Sequence, residues 1–152
     1  MSRAETLLAI GMGFGRLLPK KKQRLESIYC VACDSEVQAR LTNGEEIYPH
    51  RPDLHHMPFW KCDDCGNYVG CHHKTANRTR PLGNIPTAEL RKARKKIHAA
   101  LDPIWQSGKM RRKDVYRALR GVLGGDYHTG NIKSMDEAEA VYRAVKMLCE
   151  EK

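Results

Sequence analysis

Hydrophobic and polar positions along the chain predict short strands in the first half and helices in the second. Around residues 36–42 apolar and polar residues alternate, which places Val37, Ala39 and Leu41 on one face of a strand. Asn43-Gly44 is a typical two-residue hairpin turn, so the chain is expected to return directly as a partner strand. The strands predicted from this pattern are 36–42, 45–48 and 67–70.

Apolar residues three, four and seven positions apart predict three helices after residue 86. Thr87 is a suitable N-cap for the first helix, and Asp102-Pro103 is expected to bend or restart that helix. Gly124-Gly125 ends the second helix, and Ser134 opens the third through a capping box with Glu137. The residues expected on the inward faces are Leu90, Ala93, Ile97, Leu101, Ile104, Val115, Leu119, Val122, Leu123, Ala138, Val141, Tyr142, Val145, Leu148 and Cys149.

Four of the six cysteines form two pairs with the spacing of metal-binding knuckles. Each C-x-x-C pair brings two sulfurs within reach of one metal ion, and two pairs complete a tetrahedron. The alternative is a set of four free or disulfide-bonded cysteines, which this spacing disfavours. One structural zinc ion is therefore expected, and its closed shell leaves no position for catalysis. The predicted ligands are Cys30, Cys33, Cys62 and Cys65.

A further cysteine and two histidines, Cys71-His72-His73, directly follow the last predicted strand. They could supply a substitute zinc ligand or a hydrogen bond to one of the ligands. The favoured alternative has Cys71 packed inward, with His72 and His73 facing solvent.

Together these patterns predict an α+β fold, a small zinc ribbon of antiparallel β-hairpins followed by a basic three-helix unit. Residues 1–27 are predicted to form a short helix and a basic arm, with a disordered tail as the alternative. The zinc ribbon is assigned to 28–73, a polar and turn-rich linker to 74–86, and the helical unit to 87–152. A ribbon of this size buries too little apolar surface to fold alone, so removal of zinc is expected to unfold it.

The formal net charge of +9 is concentrated in two parts of the chain. Residues 1–24 carry six Lys and Arg against one acid, and residues 81–126 carry eleven against four. Clustered positive charge is typical of proteins that bind a polyanion, most often nucleic acid, although a basic solvated surface is the alternative. The predicted phosphate contacts are Arg91, Lys92, Arg94, Lys95, Lys96, Arg111, Arg112, Lys113, Arg117 and Arg120.

The cytoplasm is the expected location of the protein. Paired C-x-x-C knuckles are typical of a reducing compartment. The longest apolar stretch, 7–18, contains three glycines and Arg16 and is shorter than the ~20 residues that span a bilayer. No signal peptide is recognised, and no membrane partner is expected.

Residues from the second knuckle onward form a pattern that resembles a known family. They are Cys62, Cys65, Tyr68, Val69, Gly70, Cys71, His72, Pro81, Leu82, Gly83, Leu90, Arg91, Arg94, His98, Asp102, Trp105, Arg112, Tyr116, Leu119 and His128. With them the chain, over roughly residues 28–130, resembles an uncharacterised zinc-finger-containing domain family of phages and prophages. The resemblance implies a zinc-binding, virus-associated protein in the bacterial host cytoplasm, and it implies little about activity.

The leading functional hypothesis is a nucleic-acid-binding protein in which the zinc ribbon is a rigid platform and the basic helices contact phosphates. DNA and RNA are both open as ligands. Base stacking is considered for Trp60, Tyr68 and Trp105, although burial in the core is favoured for all three.

Two other functions are considered. The second hypothesis is a protein-interaction module, such as a phage factor that binds or inhibits a host nucleic-acid-processing machine through the apolar N-terminal segment. The third is a small metal-dependent nuclease. The sequence has no carboxylate cluster for magnesium and no recognised nuclease motif, so an enzyme is not expected. The residues such a nuclease would use are His72, His73 or His128 with Asp102 or Asp126.

Overall fold

The computed structural model describes residues 21–151. Four strands are followed by three long helices, and one short helix lies between the second and third strands. The predicted helix at 1–18 lies outside the described residues. The strands are β1 (Leu25–Cys30), β2 (Ser35–Asn43), β3 (Pro58–Lys61) and β4 (Tyr68–Gly70). The helices are α1 (Gly44–Ile47), α2 (Ala88–Gln106), α3 (Arg112–Leu123) and α4 (Met135–Glu150).

The four strands form one antiparallel sheet in the order β1-β2-β3-β4. Cys30 at the end of β1 pairs with Ser35 at the start of β2, so the first knuckle occupies the turn of this hairpin. In the middle of the sheet Trp60 pairs with Leu41 on one side and Val69 on the other. The predicted fold class, a small zinc ribbon followed by helices, is confirmed.

The predicted hairpin turn at Asn43-Gly44 is wrong. The Asn43 side chain accepts hydrogen bonds from the backbone N–H groups of Glu45 and Glu46, so it caps α1. A Cβ atom at Gly44 would lie 1.8 Å from the carbonyl oxygen of Leu54, which explains the glycine by close packing of two backbone segments. Strand β2 pairs with β1 on one side and β3 on the other, and residues 45–48 are not a strand.

Two hydrophobic cores lie side by side, one under the sheet and one among the long helices. Trp60 is fully buried at the centre of the first core, and its indole N–H donates to the carbonyl of Thr79 at 2.7 Å. In the second core α2 packs mainly on α4, through Leu90, Ile97, Leu101 and the apolar stripe of α4.

Two expectations about the helices are wrong. Helix α2 does not restart at Asp102-Pro103 but continues through Pro103, because Leu101 and Ile104 on either side are both buried and tertiary packing outweighs the lost hydrogen bond. Val122 and Cys149, predicted to face inward, are exposed. Both lie in the last turn of their helices, where the end of the helix opens toward solvent. No described helix is long and apolar enough to cross a membrane.

The segment 74–86, predicted as a linker, packs against both halves of the protein. Ile85 is fully buried, and its backbone N–H and carbonyl bond to Tyr29 and Val31 at 2.9 Å each. Two residues earlier Gly83 touches Gly130 so closely that a Cβ on Gly83 would lie 2.2 Å from the Gly130 carbonyl oxygen. The segment 74–86 therefore joins the ribbon to the helical unit, and its contact with the helical unit at Gly130 requires small residues.

Candidate metal centre and basic cleft

The four cysteine sulfurs predicted as ligands converge on one point. All four Sγ atoms lie within 4.8 Å of one another. Cys30 and Cys65 are 3.5 Å apart, and Cys33 and Cys62 are 3.8 Å apart. A tetrahedral zinc ion with Zn–S bonds of about 2.3 Å places its sulfurs about 3.8 Å apart, so the cluster fits one zinc ion.

Tight turns after β1 and after β3, at the same end of the antiparallel sheet, bring the sulfurs together. The first knuckle ends at Asp34, which has a φ of 51° and accepts a hydrogen bond from the Tyr29 hydroxyl. The second knuckle ends at Gly66, whose φ of 79° favours glycine and whose N–H donates to the carbonyl of Cys62. Asp63 within this knuckle is bound by Arg40 from β2 at 2.7 Å, which fixes the knuckle to the sheet.

The electrostatics of the cluster favour a bound cation. Hydrogen bonding to Cys62, and then burial, raises the pKa of Cys33 to about 12, since four crowded thiols resist ionisation together. Burial acts in the same direction at Cys65, but hydrogen bonds from the backbone and side-chain N–H groups of Asn67 lower its pKa to about 7. A metal ion that replaces the protons relieves this repulsion, so the donor set fits zinc held by four thiolates.

Cys71, His72 and His73 lie outside this cluster. Cys71 is 3% exposed, and burial raises its pKa to about 11. The two histidines are half-buried, and the His73 ring lies 3.3 Å from the carbonyl of Cys71. Within residues 21–151 the four cysteines are the group of metal-ligating side chains close enough together to hold an ion.

A family model of a zinc-finger-containing domain matches residues 26–151 of this chain. The chain belongs to that family. No curated protein and no solved structure matches this chain. The match includes the sheet, the segment 74–86 and all three long helices, so the family's unit is larger than the zinc ribbon. The zinc-finger-containing domain therefore comprises both the zinc ribbon and the three long helices.

A cleft of about 600 Å³ lies between the sheet and the helices of the zinc-finger-containing domain. Five of its lining residues are cations, and none of the described residues that line it is Asp or Glu. Most of the residues that carry the family resemblance after Cys65 line this cleft. The lining residues are Tyr48, Phe59, Tyr68, Val69, Gly70, His72, Arg80, Pro81, Leu82, Gly83, Pro86, Arg91, Arg94, Lys95, His98, Arg112, Tyr116, His128, Thr129, Gly130 and Asn131.

Aromatic rings hold two arginines of the cleft in place. The guanidinium carbon of Arg91 lies 3.9 Å from the centre of the Tyr68 ring. That of Arg112 lies 5.4 Å from Trp105 and 5.5 Å from Tyr116. Cation–π contacts orient a guanidinium without neutralising its charge, so these side chains stay available to an anion.

Arg94 was predicted to face outward, and the structure instead buries it at the floor of the cleft with 9% of its surface exposed. Its guanidinium donates to the carbonyls of Ile132 at 2.7 Å and Asn84 at 3.1 Å, which explains why a cation is tolerated inside. The Nε atom has no hydrogen-bond partner among the described residues. Burial, together with nearby Arg91, lowers the pKa of Arg94 to about 10, so the side chain remains charged at neutral pH.

The other predicted phosphate contacts fall into three groups. Lys95 joins Arg91, Arg94 and Arg112 in the cleft. On α3, Asp114 pairs with Arg111 and with Arg117, while Lys113 and Arg120 are exposed. A separate groove between α2 and α4 contains Lys92 and Lys96 together with Glu89, Asp136 and Glu139.

The residues predicted as candidates for base stacking or catalysis lie in different parts of the structure. Trp60 is buried, whereas Tyr68 and Trp105 are half-buried next to cleft arginines. His72 and His128 line the cleft, and Asp102 lies 3.5 Å from His98. The cleft was not predicted, and Arg80 and His98 were not predicted to be parts of a binding site. The signal that could have revealed it is the set of widely spaced residues shared with the family pattern.

Proposed function

We propose that this zinc-finger-containing domain binds nucleic acid, contacting phosphates through cations of α2 and α3, above all those of the basic cleft. The observation that supports the proposal is the difference between the groups that contact arginines inside the cleft and those that contact arginines outside it. Arg91, Arg94 and Arg112 of the cleft are held by aromatic rings or backbone carbonyls, and none of the described residues that line the cleft is a carboxylate.

Five arginines outside the cleft are held differently, whereas Arg24, which lies 5.6 Å from the Trp60 ring, resembles the cleft arginines. Arg40, Arg51, Arg111, Arg117 and Arg143 all lie within salt-bridge distance of Asp or Glu. A carboxylate pair neutralises the charge locally, whereas an arginine oriented by a ring keeps both its charge and its forked donors free. Phosphate is the anion that such donors match best in a macromolecular ligand.

The zinc ribbon contributes one wall of this site. Tyr68 and Gly70 of β4 line the cleft directly after the second knuckle. Metal binding therefore fixes the surface that faces the arginines of α2. This is a structural role for zinc, in keeping with four thiolate ligands and no open coordination position.

The test compares two charge-matched double variants of the full chain. Fluorescence anisotropy is measured with labelled single-stranded DNA, duplex DNA and RNA, from low to physiological salt. R91Q/R112Q removes two cleft cations, and K92Q/K96Q removes two cations from the groove beside α4. We expect the cleft variant to weaken binding at least tenfold and to reduce the slope of log K against log salt by about 2, since each lost phosphate contact reduces it by about 1.

The control variant K92Q/K96Q should bind almost as the wild type does. Equal losses in both variants would show that only net charge matters. Binding that disappears by physiological salt in the wild type itself would remove the proposal altogether and favour the protein-interaction hypothesis.

A further inference from the structure

We infer that the cleft receives single-stranded nucleic acid, with one phosphate recessed between Arg91 and Arg112 above Arg94. This rests on the proposed function and narrows it to one class of ligand. Three features carry the inference: a buried charge at the floor, walls on both sides, and flat cationic surfaces next to the opening.

The buried charge comes first. Arg94 is nine-tenths buried, and both of its anchoring partners are neutral carbonyls, from Asn84 and Ile132. A buried cation without a carboxylate is unfavourable until an anion approaches it. The Arg94 Nε atom is sealed from solvent, so this residue acts on an anion through its field, while the more exposed arginines make the direct hydrogen bonds.

The walls exclude a duplex. The cleft is bounded by β4 on one side and by α2 and α3 on the other, and its volume of about 600 Å³ is that of a pocket which surrounds a small ligand. In a duplex each phosphate lies on the rim of a stiff rod with a persistence length of about 50 nm, so one phosphate cannot turn inward alone. A single strand bends freely at each nucleotide and can place one phosphate at the floor.

The cationic surfaces provide places for the flanking bases. Arg91 lies on the face of Tyr68, and Arg112 lies next to Tyr116, so each guanidinium has one side backed by a ring. The planar outer side of a guanidinium is a stacking surface for an unpaired base. Bases in a duplex are already stacked on their neighbours and cannot use these surfaces.

The experiment uses the zinc-loaded full chain and three labelled probes of equal length: an unstructured DNA single strand, the matching RNA, and the DNA duplex. Anisotropy at physiological salt is expected to show at least tenfold tighter binding of one or both single strands than of the duplex. The variant R112Q should weaken single-strand binding several-fold and duplex binding by a clearly smaller factor, since the duplex loses only the general attraction of one charge. R112Q changes an exposed side chain, so it avoids the risk that an Arg94 variant fails to fold.

A competition arm tests the recessed phosphate. A nucleoside 5′-monophosphate is expected to displace the single strand from the wild type, and a nucleoside without phosphate is not. Equal affinity for duplex and single strand, with R112Q weakening both alike, would overturn the single-strand inference and leave nucleic-acid binding intact. Failure of all three probes to bind would overturn both.

Discussion

The two sides of helix α2 carry similar numbers of cations in different surroundings. On one side Lys92 and Lys96 share a groove with Glu89 of α2 and with two acids of α4, and Lys96 also lies 4.6 Å from the Tyr142 ring. On the other side the cleft cations face the ribbon, with no acid among the described residues that line the cleft. The charge of a helix seen in sequence is therefore less informative than the charge of the elements that pack beside it.

The two surfaces are also built from different elements of the fold. The groove beside α4 is built from α2, α4 and the residues around them, all within the helical unit. The cleft needs the ribbon for one wall, α2 and α3 for the other, and the segment 74–86 to hold them together. Perturbations of the ribbon should therefore affect the cleft and spare the groove.

The largest effect is expected from removal of zinc. A structural zinc site of four thiolates contributes on the order of 10–16 kcal/mol to a small metal-dependent unit, far more than the ribbon's apolar core can replace. A strong chelator should abolish binding of nucleic acid and the near-ultraviolet circular dichroism of buried Trp60. The helical signal at 222 nm should largely persist, because the helices have a core of their own.

The same logic gives a pH dependence with a defined sign. Zinc binding displaces thiol protons, so acidification should release the metal and alkaline conditions should retain it. Addition of zinc to the apoprotein should restore both signals. Unchanged circular dichroism and unchanged binding after complete loss of metal would contradict the view that zinc builds a wall of the cleft.

A smaller effect is expected at the junction of the two halves. A Cβ atom at Gly130 would lie 2.2 Å from the carbonyl oxygen of Leu82, so Gly130→Ala must push the segment 74–86 away from the helical unit. Overpacking of this kind costs about 1–3 kcal/mol. Chemical denaturation should show that loss, and affinity for nucleic acid should fall because the cleft widens.

Gly125→Ala is the matched control, because a Cβ atom there would meet nothing within 4 Å. Its free energy of unfolding and its affinity should stay close to those of the wild type. If Gly130→Ala behaved in the same way, the close backbone contact would not determine the shape of the cleft.

The zinc site and the helices could be predicted from sequence because their signals are local. Two C-x-x-C pairs identify their own ligands, and Thr87 and Ser134 accept the capping hydrogen bonds expected of them. The turn predicted at Asn43-Gly44 was wrong because asparagine is common both in hairpin turns and at helix N-caps. The close packing of Gly44 against the backbone of Leu54, ten residues away, could not be seen in the local sequence. The burial of Arg94 could not be predicted either, since its hydrogen-bond partners are carbonyls 10 and 38 positions away along the chain.

The smallest effect is expected from substitution of Arg40, an arginine that is paired with carboxylates and lies outside the cleft. Arg40 binds Asp63 and Glu46, and both carboxyls have pKa values held below their usual range by hydrogen bonds from Arg40. Their contribution to stability is thus present above about pH 4, the ordinary carboxyl pKa, and is lost below it. At neutral pH, Arg40→Gln should lower the free energy of unfolding by up to about 1 kcal/mol, since exposed partners weaken such pairs.

Affinity for nucleic acid should not change in Arg40→Gln, because the charge removed was already neutralised by acids. Arg51→Gln is the control: the Arg51–Asp53 pair is about 60% exposed on both sides, so neither stability nor affinity should change measurably. A loss of affinity in Arg40→Gln as large as that in R91Q/R112Q would mean that carboxylate pairing does not withdraw an arginine from phosphate binding. The distinction between the cleft and the rest of the basic surface would then lose its physical basis.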